Sequence, residues 1–167
     1  MRALMLMAVL VPGIALGGDT AGLLLSGVGG QTASRHVLTA GVGAWYTTAP
    51  RPWSVTGEVM GTGQGRGDAI YRYQQGLARI SAVGGVALGT HATTFHAGVG
   101  PALLLARGTL DAGDERWAWT QVRGGVRGRV ALDGPLGRGL GWTWSTGVTG
   151  HDRGADWDAG LGLGAAW

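Results

Sequence analysis

The residues best placed to do chemistry are charged side chains set inside otherwise apolar, alternating stretches. Arg123, Arg127 and Arg129 share one parity with Gln121, opposite Val122, Val126, Val130 and Leu132. Glu58, Arg79 and Asp158 hold the equivalent parity in other segments. Charges turned toward an interior must pair, because an isolated buried ion costs about several kcal/mol. Two uses fit such a set. One is a plug of salt bridges and hydrogen bonds that fills the interior. The other is a gate or an anion site, since the arginines outnumber the acids. The plug is the simpler reading, because an eight-stranded ring is just wide enough for its own side chains to fill.

Other chemistries find less support. Hydrolysis by a serine, histidine and acid requires the base within hydrogen-bond reach of the nucleophile. The histidines are His36, His91, His96 and His151. His151 with Asp152 and Ser26 or Ser145 is the one constellation that can be drawn, and the four histidines read more simply as polar turn residues. They lack the paired or i, i+4 spacing of metal ligands. Gly61-x-Gly63-x-Gly65 is followed by no helix, so it reads as a flexible loop rather than a phosphate cradle. The expectation is no catalytic residue, no cofactor and no metal.

Composition points the same way. All 13 basic residues are arginine, there is no Lys, Asn or Cys, and Gly, Ala and Trp are abundant. That bias follows GC-rich codons, so the basic balance is no nucleic-acid signal. The net charge is only +3 and the arginines are scattered, without a basic run. Zero Cys removes disulfides and thiolate metal sites.

The elements that must position these charges are strands. Met1-Arg2, an apolar run from Ala3 to Leu16 and the small-x-small Ala15-Leu16-Gly17 read as a cleaved signal peptide over residues 1–17. Pro12 and Gly13 interrupt a run already short of the ~20 residues a membrane helix needs. Over residues 18–167, clusters of Gly, Pro and short polar residues divide the chain into eight segments. These are Ala21–Gly30, Ser34–Thr47, Pro52–Gly61, Ala69–Leu88, Thr93–Arg107, Glu115–Leu132, Arg138–Gly150 and Asp156–Trp167. Ten strands would leave almost nothing for connections. Most of the eight alternate apolar and small or polar residues, the signature of strands with two unlike faces. Leu23-Leu24-Leu25 does not, and leaves its facing open.

A soluble sandwich or lipocalin-like barrel would also alternate. Two features favour the inverted arrangement, apolar outside. Only 14% of residues are charged, against roughly 25% in soluble domains. The aromatics also gather at strand ends: Trp45, Tyr46, Trp53, Phe95, Trp142, Trp144 and Trp167 toward one edge, and Tyr71, Tyr73, Trp117, Trp119 and Trp157 toward the other. Two such belts match the girdles of a membrane barrel. The fold expected is all-β: an eight-stranded antiparallel up-and-down transmembrane β-barrel.

The sequence ends on an aromatic, and Leu161, Leu163, Ala165 and Trp167 line one face of the last strand. With the signal peptide and the eight alternating segments, this resembles the small bacterial outer-membrane barrels of the OmpA-transmembrane-domain and OmpX type. The resemblance implies an outer-membrane location, contact with outer-membrane lipid, and a terminal signal read by the barrel assembly machinery. The functions it leaves open are a structural or surface-interaction role, a narrow gated pore with an Arg-lined lumen, and a lipid A-modifying enzyme, in that order. If Trp167 belongs to an assembly signal, Trp167→Ala lowers the folded protein in the membrane far more than Trp119→Ala does. Heat-modifiable gel migration of membrane fractions measures this, and equal assembly of the two variants refutes it.

Overall fold

The computed structural model describes residues 19–32, 35–49, 52–67, 71–90 and 92–166. Residues 1–17, expected from the sequence to be a signal peptide, and the terminal Trp167 lie outside the described residues. The strands are β1 Thr20–Thr32, β2 Arg35–Thr48, β3 Trp53–Gly67, β4 Tyr71–Gly89, β5 Thr94–Ala112, β6 Glu115–Gly137, β7 Leu140–His151 and β8 Gly154–Ala166. Each pairs antiparallel with its sequence neighbours, and β8 returns to pair with β1. The ring is closed.

The register fixes the ring's tilt. Passing from neighbour to neighbour, Gly22 leads through Trp45, Glu58, Ser81, Ala102, Gly125 and His151 to Gly154. Extending the β8–β1 register then lands at Thr32, ten residues along β1 from the start. A stagger of this size goes with strands inclined by about 35–45° and an interior that side chains alone can fill.

Alternation assigns every face. Leu23 is 68% exposed and Leu25 is 70%, while Leu24 between them is 3%. The facing of the first strand is thereby settled: Leu24, Ser26 and Val28 point inward. Val59, Ile80, Val99, Leu103, Val126 and Leu161 stand exposed on the outer face, whereas Glu58, Arg79, Arg127, Arg129 and Asp158 are buried within. The molecule is apolar outside and charged inside.

Three strands run past the boundaries expected from composition. The Gly63–Gly67 stretch, read above as a loop, is the outer part of β3 and pairs with Arg72–Gly76 of β4. Gly108–Ala112 continues β5 to a tight turn at Gly113-Asp114. Asp133-Gly134-Pro135 lies within β6, and Pro135 sits where the register shifts before Gly137. A bulge is one of the few places a sheet tolerates proline. The reversal follows at Arg138-Gly139, both with positive φ (53° and 76°), the sign pattern of a type I′ hairpin turn.

The wall is therefore uneven. Pairing of β3 with β2 stops at Thr62, and pairing of β6 with β7 stops at Gly125. Beyond those levels β3–β6 continue as a four-stranded sheet, paired out to Tyr71, Ala112 and Glu115. This extension rises at the end of the barrel opposite the chain termini.

Four of the seven tryptophans among the described residues stand directly across a strand pair from a glycine: Trp45 from Gly22, Trp119 from Gly108, Trp142 from Gly134 and Trp157 from Gly29. In each pair the ring lies over the glycine. A Cβ added at Gly29 would sit 2.3 Å from the Trp157 ring, and one added at Gly108 would sit 2.0 Å from the Trp119 ring. Overpacking of this kind costs about 1–3 kcal/mol. Gly29→Val is expected to lower unfolding stability in detergent by about that amount. Gly128→Ala, with open space around the added carbon, serves as the comparison and should be close to neutral. Urea titrations followed by tryptophan fluorescence measure both.

Candidate functional site in the barrel interior

Glu58 at the middle of β3 anchors the interior. Its carboxylate accepts Arg127 Nε at 2.7 Å on Oε2 and Arg129 Nε at 2.5 Å on Oε1. Ser81 Oγ donates to Oε2 at 3.4 Å, and Arg79 Nη2 lies 3.9 Å from the same oxygen. On the other side of the lumen Asp158 of β8 takes a forked pair from Arg127, Nη1 at 2.8 Å and Nη2 at 3.0 Å. Asp158 also accepts Arg79 Nη1 at 2.7 Å. Both Arg79 and Arg127 reach Thr149 Oγ1 on β7 at 3.4 Å.

The sequence positions these groups by parity alone. Even positions on β3 and β8 and odd positions on β4, β6 and β7 share the inner face, so residues distant in the chain meet across the lumen. Gly147 makes room for the arrangement: a Cβ there would lie 2.7 Å from Arg127 Nη1. The three guanidiniums and two carboxylates leave one net positive charge. Charge-assisted, forked Arg–carboxylate bonds are the strong class of hydrogen bond, and here they replace the water these ions gave up.

Five of the six residues expected to form the charge network are joined: Glu58, Arg79, Arg127, Arg129 and Asp158. Arg123 is not. It shares their parity but stands nearer the extension, partly exposed, bonded to Gln121 and 4.0 Å from Asp152 in the β7–β8 turn. The reason is height: Arg123 lies beyond the Gly125–His151 pair, above the level where the ring is complete.

A second polar cluster lies toward the terminal end. His96 Nε2 is 3.2 Å from Asp133 Oδ2, and Thr143 Oγ1 donates to Asp133 Oδ1 at 2.5 Å. All three are buried. His96 is thus a lumen residue, on the face that its alternation with Phe95 and Ala97 gives it, and not a turn residue. His151 ends β7 with Nε2 at 3.4 Å from Asp156. Ser145, weighed as a nucleophile, is fully buried in the wall.

The expected girdles divide. Tyr46, Trp53, Phe95, Trp142 and Trp144 face outward near the terminal end, and Trp157 faces outward near the other. Trp45 is a correction: it points inward, 5% exposed, and its ring covers Gly22 and Gly162. Tyr71, Tyr73, Trp117 and Trp119 are corrections as well. They occupy the same parity as Arg79 and Arg127, so they line the inner face of the extension instead of an outer belt. In the last strand Leu161 and Leu163 are exposed on the outer face, with Ala165 beside them.

The chain has the fold of the small eight-stranded outer-membrane β-barrels. The attachment invasion locus protein Ail of Yersinia pestis superposes with a TM-score of 0.68 at 12% identity, over 90% of this chain and 99% of Ail. A second structure of Ail, alike in score and identity, holds the heparin analogue sucrose octasulfate. Neisserial surface protein A superposes with a TM-score of 0.64 at 8% identity, over 91% of this chain and all of that one. At such identities the likeness is one of fold. No protein-family model matches the sequence, and no curated protein matches it.

Glu58 is the carboxylate bonded to Arg129 and one of two bonded to Arg127, so its loss strands Arg129 and leaves Arg127 with Asp158 alone. Removing one partner of a buried ion pair costs about 3–5 kcal/mol. Glu58→Gln is expected to lower unfolding stability by about that amount, and Arg123→Gln by less than about 1 kcal/mol, the ceiling for an exposed pair. Denaturant titration of the detergent-solubilised chain tests both. Equal effects would show that the network does not organise the interior.

Proposed function

We propose that this chain is an integral β-barrel of the bacterial outer membrane with a structural or surface-interaction role in the cell envelope. The observation that carries the reading is the inverted distribution of side chains, with Leu161 65% exposed on the outer wall and Arg127 fully buried inside. Lipid offers no hydrogen bonds to a backbone, so strands can cross it only as a closed ring. A groove among Leu23, Leu25, Trp144, Leu161 and Leu163 presents apolar side chains suited to acyl chains. In this reading the termini face the periplasm, the Tyr46, Trp53, Phe95, Trp142 and Trp144 belt sits at the inner headgroups, and the extension stands outside. Insertion is the work of the barrel assembly machinery.

The extension supports a surface-interaction role. Above the ring, and among the described residues, β3 pairs only with β4 along Gly63–Gly67, and β6 pairs only with β5 along Glu115–Gly124. Ladder groups free on one side can accept an added strand from a partner. Ail, alike in fold, was solved with a sulfated ligand, which supports a role at the cell surface.

The interior favours no open path: Arg127, Ser145, Thr149 and Asp158 are fully buried within it. We propose no catalytic role, since the fully buried Ser145 cannot meet a substrate. The protein should show heat-modifiable migration and resist carbonate extraction. Recovery from the periplasm as a soluble monomer without detergent would overturn the membrane assignment. Planar-bilayer recordings of the wild type should be silent, and reproducible conductance steps altered by Arg127→Ala would replace the plug with a pore.

A further inference from the structure

We infer that the inner face of the β3–β6 extension is a binding platform for a neutral saccharide. The rings are the starting point. Trp119 lies over Gly108, where an added Cβ would sit 2.0 Å from its ring, so the indole rests on the backbone of β5. Tyr73 stacks beside it, centroids 5.7 Å apart and planes 27° from parallel. Trp117 and Tyr71, on the same face one step further out, are 47% and 45% exposed. Aromatics turned to the inner face serve no lipid-facing girdle, and exposed rings grouped on one face mark an interaction site.

The polar groups around the rings are amides. Gln75 Oε1 accepts Gln64 Nε2 at 3.2 Å and Tyr73 OH at 2.5 Å, so the oxygen of Gln75 is engaged while its NH2 donors remain for a ligand. Gln121 stands on β6 two residues from Trp119, tied to Arg123. Flat rings take the C–H face of a sugar, and primary amides donate to and accept from its hydroxyls. Rings framed by amides are suited to that combination.

Charge decides between a neutral and an anionic sugar. On this parity the register sets Arg66 across from Tyr73 and Glu115 across from Ala112, one charge of each sign, and Arg123 has Asp152 4.0 Å from it. Arg72, Arg107 and Arg116 belong to the opposite parity and face away, with Arg116 bonded to Asp111 at 3.3 Å. A sulfated polyanion would seek that outer face. The platform is close to neutral, and its ligand should be so too.

Height places the occupant. Trp119 lies three residues along β6 beyond Val122, which is 63% exposed on the apolar outer face, or about 10 Å along the strand. The rings therefore stand just above the apolar wall, where sugar chains at the cell surface can reach them. This location rests on the membrane reading above; the binding itself does not, and the test uses soluble probes.

The experiment is a titration of the full chain in detergent micelles, followed by tryptophan fluorescence and by calorimetry. The probes are maltohexaose, chitohexaose, a neutral polysaccharide released from lipopolysaccharide by mild acid, and sucrose octasulfate. At least one neutral probe should bind, with little dependence on salt. Trp119→Ala should weaken that binding by about tenfold or more, the scale of one lost aromatic contact, and Gln75→Ala should weaken it as well. Trp119→Phe should retain most of it, and Arg107→Ala on the far face should leave it unchanged. Heat-modifiable migration of each variant confirms that it is folded. Preference for the released polysaccharide marks the cell's own surface sugars as the source, and preference for the other two an external glycan. The inference is overturned if no neutral probe binds, if binding survives Trp119→Ala, or if only sucrose octasulfate binds in a manner abolished by salt.

Discussion

Glu58, Asp158 and the three arginines between them hold the interior together, and much else follows from their mutual dependence. Each is buried, and none could be left alone there without a penalty comparable to a large share of a domain's net stability. Their bonds join β3, β4, β6 and β8 across the lumen, with Thr149 bringing in β7. Strand-to-strand pairing closes the ring around its circumference, whereas these bonds brace it across the diameter. Among the inner residues beside them Ser81, Gly147 and Thr149 are small, while Met60 lies 3.9 Å from Arg79 Nη2 and Trp45 pairs with Glu58. The guanidiniums occupy the volume that larger side chains would otherwise need.

Most of this arrangement is legible in the amino-acid sequence. A period of two needs only a face to be constant, and the Arg127-x-Arg129 and Glu58 parities declared theirs without ambiguity. What parity cannot supply is height. Arg123 shares a face with Arg127 yet lies above the complete ring, because strand lengths are unequal and the stagger displaces each neighbour along the axis. The same gap misplaced Tyr71, Tyr73, Trp117 and Trp119. Their position near strand ends suggested a belt, but their parity, shared with Arg79 and Arg127, already assigned them to the inner face.

Strand ends were the least readable feature, for a physical reason. Gly63–Gly67 and Gly108–Ala112 have the composition of loops, since glycine has little intrinsic preference for an extended chain. They are held extended by partners on neighbouring strands, and at Gly108 by the ring laid over it. Proline misleads in the same way. Pro135 suggests a turn, but a register shift beside it lets β6 continue for two more residues. Pro101 stands inside β5 at the height where the β4–β5 pairing omits Ala82 and Val83, as expected of a residue that donates no ladder bond. In each case contacts from other strands override the local signal.

The tryptophan–glycine pairs bear on how the ring finds its register. Alternation forbids a slip of one residue, because every side chain would change face, but it is indifferent to a slip of two. The pairs are not indifferent. Moving β7 by two against β6 would press Trp142 onto Leu132 or Leu136, and the same error elsewhere would set Trp45 on Thr20 or Leu24, or Trp119 on Ala106 or Leu110. Each ring and its glycine act as a notch and tooth, so that a strand sliding past its neighbour during closure has one seat where the largest side chain meets the smallest.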